Sequence, residues 1–575
     1  MASGETQKRK VQDTDIHELR LLLAPTDAHI RASTDEGYAA SIERWSKAAE
    51  KPAGVAVAPT SAEEVAIALK YASQNAIDVA VKGGGHSTAG ASSTDGGLLI
   101  DLGRMRQVDV DTEKQRLHVQ GGCLWGDVDD AGYKHGLATV GGTVADTGVG
   151  GLTLGGGYGM LSGQRGLVID NMVSATIVLA NGEIKRASKE ENPDLFWSLL
   201  GAGQNMGVTC EFVLQAYPQK DVFMGTLAFL PTPENISKVV KAVNDLYTVP
   251  ASGRSKSQGR GMGLLGLVKP PEAGGNTVIL FAASFDGPEE EGRALFQPLV
   301  DIGPIMNTMA MAPYPNVNRM VPTVPGMRSS MKGAAYVLPI REEFFMDMFK
   351  KYEQFNAECD DAGASVVAWE LYDPCKVEEY DTGCFANRGL HLNGLIMPMW
   401  SKAENDQLCR QWARDMSNRF KREIEVHGLP PSKGIEGGAS VRGNKGAVLL
   451  YGNYDVSKRS SNYMRTGLTA TSNTTRSQRI SSANIMNACR KSRGSMTRVI
   501  CSISCSPLHQ PRLLHSLLYE IAAKSNETSS ATQAFRTSLF QADDVANPFC
   551  RYRNLDRILI SLNDHGAVVI QVGRE

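Results

Sequence analysis

Between residues 50 and 217 apolar positions come in short runs broken by glycine and polar turns. GVAVAP (54–59) predicts a strand, and AEEVAIALKYASQ (62–74) repeats its apolar residues at helical spacing. Thr60 and Ser61, followed by Glu63 and Glu64, read as a capping box opening that helix. DVAV (78–81), GLLIDL (97–102) and RLHVQGG (116–122) predict further strands. LWGDVDDAGYKHG (124–136) reads as a helix closed by Gly136. SATIVLANGEIKRAS (174–188) predicts a hairpin with Asn181-Gly182 in a type I′ turn. NPDLFWSLLGAG (192–203) predicts a helix with Asn192 as N-cap and Pro193 in its first turn.

From 222 to 440 the grain changes. Long amphipathic patterns (PENISKVVKAVNDLY, REEFFMDMFKKYEQFNAE, ENDQLCRQWARDMSNRFKREI) alternate with strand runs (SVVAWELYD, GLHLNGLIMPMW). A sheet with helices on one face satisfies both patterns. GAVLLYGNYD (446–455) reads as one more strand. After Val456 the periodicity stops: SKRSSNYMRTGLTATSNTTRSQRISS is rich in Ser, Thr, Arg and Asn with no helical or strand period.

With 575 residues the chain is long enough for more than one domain. A net charge of -2 gives no footprint for nucleic acid. No apolar run has the roughly 18 residues of a membrane helix. The charged N-terminus lacks an apolar signal core, so we expect a cytoplasmic protein. Ten scattered cysteines, with no C-x-x-C pair, read as free thiols.

Two glycine-rich strings carry the chemistry: VKGGGHSTAG (81–90) and GVGGLTLGGGYG (148–159). Neither supplies G-x-G-x-x-G with a following helix and a ribose-binding acid in register, which argues against a nicotinamide dinucleotide fold. Each follows apolar β-type sequence and offers unobstructed backbone N–H groups, as an anion-binding nest does. His86 ends the first glycine run. A histidine there is either a surface hydrogen-bonder or a nucleophile.

Together with GDV (126–128), GLVIDNMVSATIVLANGEI (166–184), DLFWSLLGAGQNMGV (194–208) and YGNYD (451–455), these strings resemble the FAD-linked oxidases of the p-cresol methylhydroxylase/vanillyl-alcohol oxidase superfamily. The nearest branch is the berberine bridge enzyme-like one, with its 6-hydroxynicotine oxidase-type proteins. The resemblance implies an α+β protein: a two-part FAD-binding domain with an inserted α+β substrate domain, an antiparallel sheet covered by helices. On this reading the chain divides into an N-terminal segment (1–49), the FAD-binding domain (50–220), the substrate domain (221–440), a strand returning to the FAD-binding domain (441–456) and an atypical, disordered or mistranslated tail (457–575).

The same resemblance implies site residues. His86 matches the histidine that carries FAD covalently through the 8α-methyl carbon. Lys82, Gly83, Gly84, Gly85, Ser87 and Gly90 flank it in the first string. Asp146 and Thr147 lead into the second, Gly148, Gly150, Gly151 and Gly157 belong to it, and Gly207, Val208 and Asn453 complete the expected cofactor contacts. Relatives with a second linkage carry a cysteine where this chain has Val144, and Cys123 does not match it, so a single covalent bond is expected. Tyr454 matches the catalytic base, with Tyr451 as a second candidate on the opposite side of a regular strand. His391, Glu370 and Tyr372 are candidates to line the substrate face. The expected partners are a small-molecule substrate and O2, with no nucleic acid and no membrane. An NADPH-dependent reductase on this fold and a flavin-binding protein without catalysis are the competing readings.

Overall fold

The computed structural model describes residues 8–320, 324–380, 382–427, 501–503, 557–562 and 568–573. Its first region carries two sheets. In one, His29–Arg31, Val55–Ala58, Leu98–Asp101 and Val79–Lys82 lie side by side in that order. The last three are parallel, and Val55–Ala58 and Leu98–Asp101 are buried at every residue. Burial on both faces is why these strands read as unbroken apolar runs. The second sheet is antiparallel, in the order Val108–Asp111, Arg116–Gln120, Val208–Gln215, Met172–Val178, Ile184–Ser188.

The helix Ala62–Gln74 sits between the sheets and buries Val65, Ala68, Leu69 and Ala72. Half of the expected capping box forms, and the returning carboxylate bond goes to the residue before the N-cap. Ser61 accepts from the Glu64 N–H, and the Glu64 carboxylate accepts from the N–H and hydroxyl of Thr60. Such a cap contributes about 1 kcal/mol.

Three local expectations are corrected. The 174–188 hairpin turns through three residues, not two. Leu179 pairs with Glu183, the Gly182 N–H donates to the Leu179 carbonyl, and only Gly182 has positive φ (+84°). The extra residue, Ala180, converts a type I′ turn into a type I turn with a glycine bulge. Asn192 stands at the start of Pro193–Ala202, but at φ +48° its amide donates to the Arg186 carbonyl instead of capping. The run 389–400 breaks into Leu392–Met397 and Met399–Trp400, because Pro398 has no N–H to continue the ladder.

The second region is built on an eight-stranded antiparallel sheet containing Val222–Phe229, Gly261–Val268, Val278–Phe285, Lys332–Tyr336, Val366–Leu371 and Leu392–Met397. Pro233–Tyr247, Glu342–Glu358 and Asp406–His427 are its long helices. Trp369 marks the face they cover: its ring meets Phe344, Phe345 and Phe420. The α+β architecture expected from the sequence is therefore present.

Two buried polar contacts tie the regions together. Arg388 forms a bidentate pair with Asp170 (2.6 and 3.0 Å), both nearly inaccessible. Removing one partner of such a pair costs about 3–5 kcal/mol. Asp129, on the helix Trp125–Tyr133, accepts from the Asn318 amide at 2.7 Å. Burial raises the Asp129 carboxyl from 3.8 to about 7. The folded chain thus keeps a proton that the unfolded chain releases at lower pH. The resulting stability is complete below about pH 4 and lost as pH rises through 7, at most about 4 kcal/mol. Asp129→Asn mimics the protonated form, so its melting temperature should exceed the wild type's at about pH 8 and approach it only near pH 4. Thermal unfolding at both pH values checks this; a loss at both contradicts it.

Among the described residues beyond His427, three strands, Cys501–Ile503, Arg557–Leu562 and Val568–Gly573, pair as an antiparallel sheet. The strand expected at 441–456, with Tyr451, Asn453 and Tyr454, lies outside the described residues, as does most of the atypical tail.

Candidate active site

The strand Val79–Lys82 delivers the chain into Gly83, Gly84 and Gly85. Lys82 anchors the exit, its ammonium donating to the Ala40 and Ser41 carbonyls and lying 3.4 Å from Asp101. The loop then meets the second glycine string. The Trp125 N–H donates to the Thr147 carbonyl and the Val149 N–H to the Cys123 carbonyl, which fixes Gly148 between them. There the two strings touch backbone to backbone. A Cβ on Gly84 would stand 2.3 Å from the Gly148 nitrogen, and one on Gly148 equally close to that of Gly84. No side chain fits at either position. Gly83 and Gly150 both face the Gly121 carbonyl. Gly151 is exposed and a Cβ there would meet nothing within 4 Å, so packing within the protein does not explain it.

Beside this contact lies a cleft of about 350 Å³, lined by Lys82, Gly83, Gly84, Gly122 and Leu124 together with Arg31, Arg104 and Arg106. Backbone laid bare by glycine next to four cationic side chains suits a phosphate-bearing ligand. Arg106 is also paired with Asp127 and Lys82 with Asp101, so part of that charge is already balanced.

His86 follows at the end of the glycine turn, mostly buried. Its Nε2 is 3.1 Å from Asp146 Oδ1, and its ring stacks on Trp45 at 5.2 Å with 21° between planes. Asp146 comes from just before the second string, so sequence separation of 60 residues is closed by the glycine contact. Ser87 and Gly90 shape the turn: the Gly90 N–H donates to the Ser87 carbonyl, and the Ala91 N–H to the Ser87 hydroxyl. Thr88 ties the loop to the second region by accepting from the Met331 N–H.

Gly157, Gly207 and Val208 have packing reasons of their own. A Cβ on Gly157 would strike Val168, and one on Gly207 the Val178 carbonyl. Val208 is buried in the core between the two sheets of the first region. Cys123 is fully buried, its thiol donating to the Gln107 carbonyl, and burial pushes it up to about 12. Such a thiol is not a nucleophile near neutrality.

A second polar cluster lies on the sheet face away from the helices. Glu370 and Tyr372 alternate with Trp369 and Leu371, so they point opposite to the aromatic cluster under the helices. Tyr158, from the second glycine string, meets this face with its ring 5.6 Å from that of Tyr372. Its hydroxyl donates to the Asn387 carbonyl at 2.9 Å. Asn387 Oδ1 lies 2.6 Å from His391 Nε2, and the Asn393 amide donates to the Tyr372 hydroxyl at 3.4 Å. Burial drives His391 down to about 4, so it is neutral at physiological pH. Burial, with Tyr158 and Glu370 nearby, pushes Tyr372 well above its ordinary value. This is a desolvated polar surface with hydrogen-bonding groups already ordered.

Of the expected residues, His86, Asp146, Gly84 and Gly148 converge, and Glu370, Tyr372 and His391 share a second cluster. Trp45, Tyr158, Asn387 and Asn393 were not anticipated. Trp45 falls in the segment read as preceding the first domain. Tyr158 alone carried a signal, a bulky aromatic inside GGGYG where every neighbour is glycine.

Residues 53–188 match the family model described as FAD binding domain. The chain is 34% identical over 346 residues to the FAD-linked oxidoreductase pgmH of Aspergillus terreus, covering 60% of this chain and 69% of that protein. It is 35% identical over 214 residues to the (R)-6-hydroxynicotine oxidase of Paenarthrobacter nicotinovorans, covering 37% and 46% respectively. The crystal structure of 6-hydroxy-D-nicotine oxidase from Arthrobacter nicotinovorans superimposes with a TM-score of 0.61 at 20% identity, covering 78% of this chain and 95% of that one. With the glycine cradle and its cationic cleft, these likenesses establish that the chain belongs to the FAD-linked oxidoreductases.

Proposed function

We propose that this FAD-linked oxidoreductase is an oxidase. On this reading it takes a hydride from a small alcohol, amine or activated C–H centre, with flavin attached covalently to His86 and O2 as acceptor. The observation that carries it is the Gly84–Gly148 contact, which brings His86 to Asp146 beside a cleft fit for a pyrophosphate. The chemistry that FAD supplies when bound is acceptance of a hydride and transfer of the electron pair onward. Its holders would be Lys82, Gly83, Gly84, Gly85, His86, Ser87 and Gly90 from the first string. Asp146, Thr147, Gly148, Gly150, Gly151 and Gly157 would join from the second and the residues leading into it, with Gly207, Val208 and Asn453.

The buried face of Glu370, Tyr372, Asn393 and His391 would orient the substrate and exclude water. A neutral His391 offers hydrogen bonds without adding charge, which favours an uncharged or weakly polar substrate. The name of the 6-hydroxynicotine oxidase supports a small organic molecule. The test is anaerobic mixing with a panel of small alcohols, amines and phenols, followed by readmission of air. Bleaching of the flavin by a panel member and recovery with peroxide release is the expected result; recovery that requires an added electron carrier contradicts the oxidase assignment.

Tyr454 would take the substrate's proton, a reading that rests on the sequence. Tyr454→Phe should slow flavin reduction by about 10²–10⁴-fold with little change in substrate affinity. A change confined to KM would make it a binding residue. A single flavin bond is expected, because Cys123 is buried and protonated. Peptide mapping should find flavin on the peptide with His86 alone; flavin on a Cys123 peptide contradicts this.

A further inference from the structure

An imidazole attacks an electrophilic carbon only through a nitrogen that carries no proton, so attachment at His86 needs a particular tautomer. We infer that Asp146 is the positioning residue for flavin attachment: its carboxylate keeps the His86 proton on Nε2 and leaves the lone pair of Nδ1 to form the bond. The inference rests on His86 being the attachment point.

The geometry supplies each part. Asp146 Oδ1 is 3.1 Å from Nε2 without an aligned hydrogen bond, so it acts through its charge, which favours the tautomer protonated at that nitrogen. Trp45 stacks on the ring and so fixes the plane of the imidazole. Among the described residues Nδ1 has no hydrogen-bond partner. The arrangement is also distributed across both glycine strings. Asp146 sits two residues before Gly148 and His86 two after Gly84, so the contact that forms the cradle sets this distance as well.

The step balances as follows. The Nδ1 lone pair forms the new N–C bond to the 8α carbon, and a C–H bond of that methyl group breaks. The imidazole's own hydrogen leaves Nε2 as a proton, transiently stabilised as imidazolium by the Asp146 charge. The two hydrogens, as protons, and the electron pair of the broken C–H bond reduce the ring system. Dioxygen then takes up the pair and two protons as hydrogen peroxide.

The experiment isolates wild type, Asp146→Asn and Asp146→Ala after the same short expression. It measures total bound flavin and the part that stays on acid-precipitated protein. The wild type should retain its flavin through acid. Both variants should bind flavin yet hold at least about tenfold less of it covalently, with alanine the more severe. Acid-stable flavin at the wild-type level in both variants overturns the role. Failure of both to bind any flavin also overturns it, since Asp146 would then only shape the cradle. If one variant alone binds flavin, that variant decides by the same criterion. Acid-labile flavin in the wild type instead removes His86 as the attachment point, and this inference with it.

Discussion

His86→Ala yields protein whose flavin is released into the supernatant on acid precipitation, leaving only background colour on the pellet. The substitution removes the one nucleophile in the glycine turn while leaving the Gly84–Gly148 contact and the cationic cleft intact. The variant should therefore still bind FAD reversibly, and occupancy should rise with added FAD. Loss of the imidazole also leaves Trp45 without its stacking partner and Asp146 without the ring beside it. A modest loss of stability, about 1 kcal/mol, accompanies the change. Absorbance of pellet and supernatant is the measurement. Acid-stable flavin in the variant means another residue carries the bond.

Gly84→Ala should destabilise the protein strongly and disrupt the cradle. Its Cβ would stand 2.3 Å from the Gly148 nitrogen, where non-bonded heavy atoms need about 3.5 Å. Neither strand can step aside cheaply, because Gly148 is clamped by the Trp125–Thr147 and Val149–Cys123 hydrogen bonds. Overpacking against fixed backbone costs about 3 kcal/mol, and moving the loops apart would separate His86 from Asp146. Soluble variant should bind little FAD and melt well below the wild type. Gly151→Ala is the control: nothing lies within 4 Å of its Cβ, and it sits in the helix Val149–Leu154. Its stability should stay within about 0.5 kcal/mol of wild type or rise, so any loss of flavin there reports contact with the cofactor rather than damaged packing. Equal melting behaviour for both alanine variants would remove the close contact from the account.

Much of this was legible in the sequence because the elements obey local rules. The helices Ala62–Gln74 and Pro233–Tyr247 carry their own caps and periods, and both fall on the residues predicted. The glycine strings announced a close approach, since no other residue type explains three glycines before a histidine. Their partner was not legible. That Gly84 meets Gly148 is set by strand pairing between Leu124 and Gly148, which leaves no pattern in either string. Asp146 and Trp45 reach His86 through the same tertiary contact. The hairpin at 179–183 failed for a smaller reason, since Asn-Gly serves both a two-residue and a three-residue turn and only the strand register chooses. The polar face of the second region's sheet was half visible. Glu370 and Tyr372 showed the alternation of a strand, but which face the helices cover was decided by Trp369 packing on Phe344, Phe345 and Phe420.

The central claim is that the two glycine strings form one cradle holding FAD, bonded to this chain at His86. The intact mass of the purified wild-type protein under acidic denaturing conditions tests it most directly. The account predicts a chain heavier than its sequence by one FAD, and a chain of bare mass after His86→Ala. A wild-type chain at bare mass, with its flavin free in solution, would contradict it.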